Sequence, residues 1–324
     1  MPLPFLLVGA AALAGVGTHI NAKKKNEEAQ RLIKLAESSY NTTKEKLSIA
    51  KKDTESSLVQ LELSKKKVLQ SSMKQFLKAY KRLKNVQLKE SVGLTELSKF
   101  SISPSDIIQI QNMTNIYESN LKVGAVGATA GVALTALTTT TLVGATGLAS
   151  FLSPLAIVAA PTLLFTGISS SIKAEENLEK ARVMYYDTEL AVEKMNTSIT
   201  ICNGIVDRTN MYNNLLHSLN QLFSECARYM DSVTRSKVGI FKGWQIKPNK
   251  INEEEMKLFA ITRALAGAVK AVIDTPVLNS LGNLDEESFN KYEEIHKQLP
   301  AFSNSAQSVQ AIDYGVKLRP AKRA

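Results

Sequence analysis

The sequence predicts an all-α protein: an elongated antiparallel coiled coil of two long helices, an apolar Gly-rich helical hairpin between them, and a small C-terminal helical module. Three observations predict it. No Gly or Pro occurs from Thr18 to Val92, a run of 75 residues. From Ser169 to Lys237 there is again no Pro, and Gly204 is the only glycine. Between these runs, residues 123–172 are 50 positions without one charged side chain, rich in Gly, Ala and Thr. Sparse breakers and few aromatics, with Lys, Glu, Leu, Ala and Ser dominant, favour helix over sheet.

Residues 1–20 open the chain with an uncharged run, Leu3 to Ile20, followed by Lys23, Lys24 and Lys25. A signal peptide carries its positive charge before the apolar run, so this order predicts an anchor or re-entrant segment with the following chain on the cytoplasmic side. Residues 21–92 are expected to form a long basic helix. Ala29, Ile33, Ala36, Tyr40, Leu47, Ala50, Leu58, Leu61, Val68, Met73, Phe76, Tyr80 and Leu83 recur at steps close to three and four, the seam of a helix packed on a partner helix. A straight helix over Asn21–Ser91 spans roughly 105 Å. Its partner is residues 173–238, with Leu178, Ala181, Met195, Cys202, Leu215, Leu219, Cys226 and Val233 on the stripe and Gly204 as a hinge.

Residues 93–122 read as a connector in which Ser103 caps and Pro104 starts a short helix. Residues 239–300 read as a helical module. Asn252 followed by Glu253, Glu254 and Glu255 marks a helix start that complements the dipole, with a stop before Pro276. A second helix is expected from Asp285 to Gln298, ended by Pro300, and residues 301–324 are expected to be an irregular basic tail.

The charge is localised. Residues 21–91 hold 18 Lys/Arg against 8 Asp/Glu, and this accounts for the whole formal net charge of +10. Such a helix suits anionic lipid, and Lys23, Lys24, Lys25, Lys65, Lys66 and Lys67 are the expected headgroup contacts. Lys far outnumbers Arg and only Tyr40, Phe76 and Tyr80 are interleaved, so nucleic acid is disfavoured as a partner. Cys202 and Cys226 belong to no CxxC pair and the three histidines are scattered, which predicts reduced, buried thiols, no metal site and a cytoplasmic body. No phosphate-binding loop and no HExxH or GxSxG pattern is present, and the acid pairs fit helix starts, so no enzyme and no cofactor is expected.

In the uncharged stretch, Gly124, Gly127 and Gly131, with Thr135 a turn further, place small residues on adjoining helix faces, a spacing that lets helices pack closely in lipid and predicts a homo-oligomer. Gly144 and Gly147 sit near the expected bend; Pro154 starts and Pro161 kinks the second limb. Fifty residues suffice for two crossings. The opposing expectation is that this hairpin is the buried core of a bundle.

The opening MPLPFLLVGAAALAG, the Lys/Glu helix, the Gly-rich arm, and the stretches ICNGIVDRTNMYNNLLHSLNQLF and AGAVKAVIDTPVLN are similar to a poorly characterised family of bacterial helical proteins. The topology resembles the cytolysin A-like α-helical pore-forming toxins, whose rod inserts an apolar hairpin and assembles into rings. That resemblance implies a membrane-perturbing or pore-forming protein, bacterial and membrane-associated, passing from a soluble to a membrane-bound form. The alternative is a membrane-anchored coiled-coil scaffold that recruits a protein partner through helices 253–298 and opens no pore.

Overall fold

The computed structural model describes residues 18–83, 95–122, 174–238, 246, 250–279 and 283–316. The expectations for Gly124, Gly127, Gly131, Thr135, Gly144, Gly147, Pro154 and Pro161 lie outside these residues, as do those for most of the segment 1–20 and the end of the basic tail. The fold is all-α. In order, α1 is Thr18–Val68, a π-turn covers Leu69–Met73, α2 is Lys74–Arg82, α3 is Thr95–Ser98 and α4 is Pro104–Lys122. Then come α5, Ala174–Lys237, α6, Glu253–Asp274, and α7, Glu286–Gln310. The only bridge between extended residues among those described joins Leu278 and Leu284.

Chain contacts divide the molecule into two compact units. The first holds the described residues up to Glu55 and from Ala174 to Gly204; the second holds those from Ser56 to Lys122 and from Ile205 onward.

In the first unit α1 packs on α5 through small, well-spaced clusters. Ala29 meets Leu178 and Ala181, with Leu32 and Ile33 beside them. Further along, Tyr40 and Leu47 meet Ala191 and Met195. Between the apolar contacts the seam is polar: Thr43 and Thr54 are buried, and the Thr54 hydroxyl lies 2.8 Å from the Ala50 carbonyl and 3.2 Å from that of Cys202. A hydroxyl that donates to backbone carbonyls is satisfied without water and lets the helices approach closely.

The two helices run parallel, which corrects the antiparallel expectation. Lys25 pairs with Glu175, Asn26 with Asn177 and Thr54 with Cys202, at separations of 150, 151 and 148 positions. A constant difference in residue number defines a parallel pair; in an antiparallel pair the sum is constant. Matched length with an apolar connection does not fix direction, because only a short loop forces consecutive helices to be antiparallel. Here everything from Leu83 to Lys173 lies between them.

The second unit repeats the parallel register. The Ser72 hydroxyl is 2.5 Å from Asn220 Oδ1 at a separation of 148, and Arg82 reaches Asp231 at 149. The π-turn accommodates an extra residue between α1 and α2 and places Leu69, Ser72 and Met73 inward together. Phe76 then packs edge-on against Phe223, centroids 5.7 Å apart. Helix α2 ends at Arg82, with Leu83 leaving the helical conformation, and the rest of the helix expected to residue 92 lies outside the described residues.

Helix α6 is buried on nearly all sides, including Leu258, Phe259, Ile261, Leu265, Val269 and Val272, as befits a helix apolar around its circumference. Its start is a complete capping box. The Asn252 side chain accepts from the Glu255 amide at 2.8 Å, and the Glu255 carboxylate accepts from the Asn252 amide at 3.0 Å. It stops at Asp274, before Pro276, as expected.

Helix α7 departs from expectation. Pro300 lies inside it and the helix continues to Gln310, so residues 301–310 are helical and not tail. Proline removes one backbone donor and crowds the preceding turn. Pro300 is on the exposed side, where water can serve the freed carbonyl, while Phe302, Ala306 and Val309 are fully buried and hold the continuation in place.

Candidate functional site

The first candidate is the end of the helix pair in the first unit. Ala22 follows one uncharged segment of the sequence and Ala174 follows the other, and both stand at the same end of α1 and α5. The Lys25 ammonium lies 2.7 Å from the Glu175 carboxylate, and Asn177 Nδ2 is 3.5 Å from Asn26 Oδ1. Arg182 bridges Glu28 and Glu179 at 3.9 Å each. The Lys25 ammonium, by donating to Glu175, lowers that carboxyl's pKa. Two lysines at this end, Lys23 and Lys24, are exposed.

The six lysines expected at headgroups do not share one role. Lys23, Lys24 and Lys67 are exposed. Lys25 is engaged with Glu175. Lys65 is a correction: it is buried and paired with Glu62 at 3.1 Å, so it presents no charge to a bilayer. Its position one turn after Leu61 and three residues before Val68 puts it on the packed face, where the long aliphatic stem fills the seam. Lys66 is half-buried. Gly204 lies within an uninterrupted α5, at the last position of the first unit.

The second candidate is a cleft of about 290 Å³ in the second unit, lined by Lys99, Phe100, Ile102, Asp106, Gly267, Lys270, Asp274, Lys291 and Glu294. Its sides come from α4, α6, α7 and the turn after α3. Asp106 is the third residue of α4. It accepts from the Ser103 amide at 2.9 Å, while the Asp106 amide donates to Ser103 Oγ at 3.1 Å, so Ser103 caps Pro104 as the sequence indicated. The Lys270 ammonium lies 3.2 Å from Asp106 and also bonds Asp274. Across the cleft Lys99 pairs with Glu294 at 2.7 Å.

The electrostatics here are those of satisfied ion pairs. Burial pushes the Lys270 pKa down, but hydrogen bonds to Asp274 and Asp106 outweigh it and the net shift is upward. Burial likewise works against ionised Asp106, and the Ser103 hydrogen bonds together with Lys270 bring it below its ordinary value. A nucleophilic or Schiff-base lysine requires a depressed pKa. Lys270 has the opposite, and its chemistry is to hold α4 on α6. Sequence reading missed this trio because Asp106 and Lys270 are remote in the chain; only Lys270 and Asp274, one helical turn apart, were available as a signal.

Elsewhere, Cys202 and Cys226 are free and buried, as expected. Burial pushes the Cys226 thiol up to about 12. His217 is exposed, beside the buried Leu215–Leu216–Leu219 face of α5. Among the described residues no group of His, Cys, Asp and Glu could hold a metal ion, and no helix is long and apolar enough to cross a membrane. No family model, no curated protein and no solved structure matches this chain.

Proposed function

We propose that this chain is a membrane-inserting, self-associating helical protein that perturbs membranes through residues 123–172, with residues 1–20 as a second point of attachment. The observation that carries the reading is the parallel register of α1 and α5. It brings Ala22 and Ala174, each one residue beyond the end of an uncharged segment, to one end of one helix pair, where Lys25 meets Glu175. Two segments that leave a rigid pair at the same end can engage the same bilayer surface. The exposed Lys23 and Lys24 stand where a cationic flank to a membrane segment is favourable.

The second reading is a membrane-anchored scaffold that opens no pore. It is favoured by the exposed apolar residues on the outer faces of α1 and α5, which a recruiting surface needs. Within its expected docking module, helices 253–298, α6 is spent on the core of the second unit, which leaves the exposed side of α7 as the recruiting face.

Dye release from anionic liposomes, together with flotation, separates the readings. Release that Gly127→Leu with Gly131→Leu abolishes, at unchanged helix content, supports insertion of residues 123–172. Flotation without release supports the scaffold. Neither release nor flotation overturns both, and deletion of residues 2–20 with no change in flotation removes that segment from the attachment.

A further inference from the structure

The two units differ in what they bury. In the second, large side chains are wholly enclosed: Phe76, Phe223, Phe259 and Phe302 have no exposure, and α6 is covered on nearly all sides. In the first, α1 and α5 are the only helices among the described residues, so each buries a single stripe. Five of the buried positions in these stripes are alanines, and five more, Thr43, Thr54, Asn177, Thr188 and Ser198, are polar. The larger apolar side chains do not make one continuous core. Leu178 clusters with Ala29 and Ala181, whereas Tyr40, Leu47 and Met195 cluster with Ala191 further along.

Such a seam is specific without being strong. An alanine removes little apolar area from water, and that removal is what holds a helix pair together. A buried polar residue in a two-helix seam fixes register at a cost in stability. Thr54 donating to the Cys202 carbonyl and Asn26 facing Asn177 satisfy those groups, but each such contact contributes little net of the water it replaces. The ion pairs that cross the seam, Lys25–Glu175 and Arg182–Glu28, add little more, because Glu175 and Glu28 stay largely in water. Both helices run unbroken into the second unit, α1 after Glu55 and α5 after Gly204. One end of the pair is therefore tethered, and it can part only from the Lys25–Glu175 end.

We infer that the first unit is a clasp: α1 and α5 part there, from the Lys25–Glu175 end, while the second unit keeps its fold. Local opening of this kind occurs where few apolar contacts are buried. Once apart, neither helix has its stripe covered, and helices in proteins owe most of their stability to that cover. Residues 123–172 lead into α5 at the end that parts, so the closed clasp holds their far end beside α1 and the open clasp releases it. This control over residues 123–172 rests on reading them as the membrane-active segment; the parting itself does not.

Hydrogen exchange of the full chain in non-ionic detergent, read by mass spectrometry, is expected to be on the order of 100-fold faster in peptides from 22–55 and 174–204 than in peptides from 258–272. The full chain carrying Asn26→Cys with Asn177→Cys is expected to keep that difference before treatment. Joined by a short thiol-to-thiol crosslinker it is expected to lose most of it, because the separable end is pinned. Equal protection of the two units overturns the inference. So does fast exchange that the crosslink leaves unchanged, the result of helices that fray singly. On anionic liposomes the uncrosslinked variant is expected to release dye and the crosslinked one to release none. Release undiminished by the crosslink overturns the clasp's control over residues 123–172. Release absent from both forms overturns the membrane reading and not the clasp, which the exchange comparison decides by itself.

Discussion

Asn26 and Asn177 meet amide to amide, Asn177 Nδ2 lying 3.5 Å from Asn26 Oδ1, and together with Thr54 facing Cys202 further along this pair makes the two long helices parallel. Residues near the start of α1 face residues near the start of α5, and Tyr40 and Leu47 face Ala191 and Met195 further along. A short thiol-to-thiol crosslinker should therefore join Asn26→Cys to Asn177→Cys in high yield within one chain. The endogenous Cys202 and Cys226 are buried and should not compete. An uncrosslinked product, read as no mobility shift on a denaturing gel, would contradict the parallel register.

Asp231 of α5 is held between two arginines. It is nearly buried, 2.7 Å from Arg82 Nη1 and 3.0–3.1 Å from Arg235. Burial works to raise its pKa, but the hydrogen bonds from Arg235 and Arg82 prevail and the net shift is downward. A carboxyl with a lowered folded-state pKa contributes stability that is present above its unfolded value and is lost as pH falls through the folded value. Asp231→Ala should cost on the order of 3 kcal/mol at neutral pH, because it strips a buried charge cluster of one sign. In chemical denaturation the wild type should lose stability on acidification below about pH 4, and the variant should lose less over the same range.

Gly267 permits the backbone after α3 to lie directly on α6. A β-carbon there would sit 1.6 Å from the Phe100 carbonyl oxygen and 3.1 Å from the Ile102 amide nitrogen. Neither neighbour is a side-chain end that could swing away. Gly267→Ala, although a better helix former, should therefore destabilise the second unit by about 3 kcal/mol, the upper end of what overpacking costs. A thermal melt at or above the wild-type midpoint would contradict this packing.

The Cys226 thiol is buried, with the Gln310 amide 3.9 Å from its sulfur, and burial pushes its pKa to about 12. Thiolate is the reactive form. Native protein at pH 8 should thus resist alkylation at Cys226 for hours and react at once in denaturant. Gln310→Ala should not make it reactive unless the end of α7 detaches. Rapid native labelling, followed by mass spectrometry, would show that α7 does not cover this position.

The sequence alone determined that the chain is helical, because breaker-free runs with apolar residues at steps of three and four leave no other regular structure open to it. It determined most helix ends as well. Ser103–Pro104 and Asn252 with Glu255 are local hydrogen-bonding devices that need no distant partner, and the stop before Pro276 is local sterics. Direction, however, was beyond local information. The same stripes on α1 and α5 suit either a parallel or an antiparallel pair, and only the facing of Asn26 with Asn177 and Thr54 with Cys202 selects one. Tertiary packing also overrode local rules where burial was worth more than the rule. Phe302 and Val309 carry α7 through Pro300, Leu69 and Met73 widen a turn that the sequence reads as ordinary helix, and Leu61 and Val68 draw Lys65 inward with Glu62 as its partner. The Lys270–Asp106 pair belongs to the same class, since residues remote in the chain become neighbours only when the core between their helices has formed.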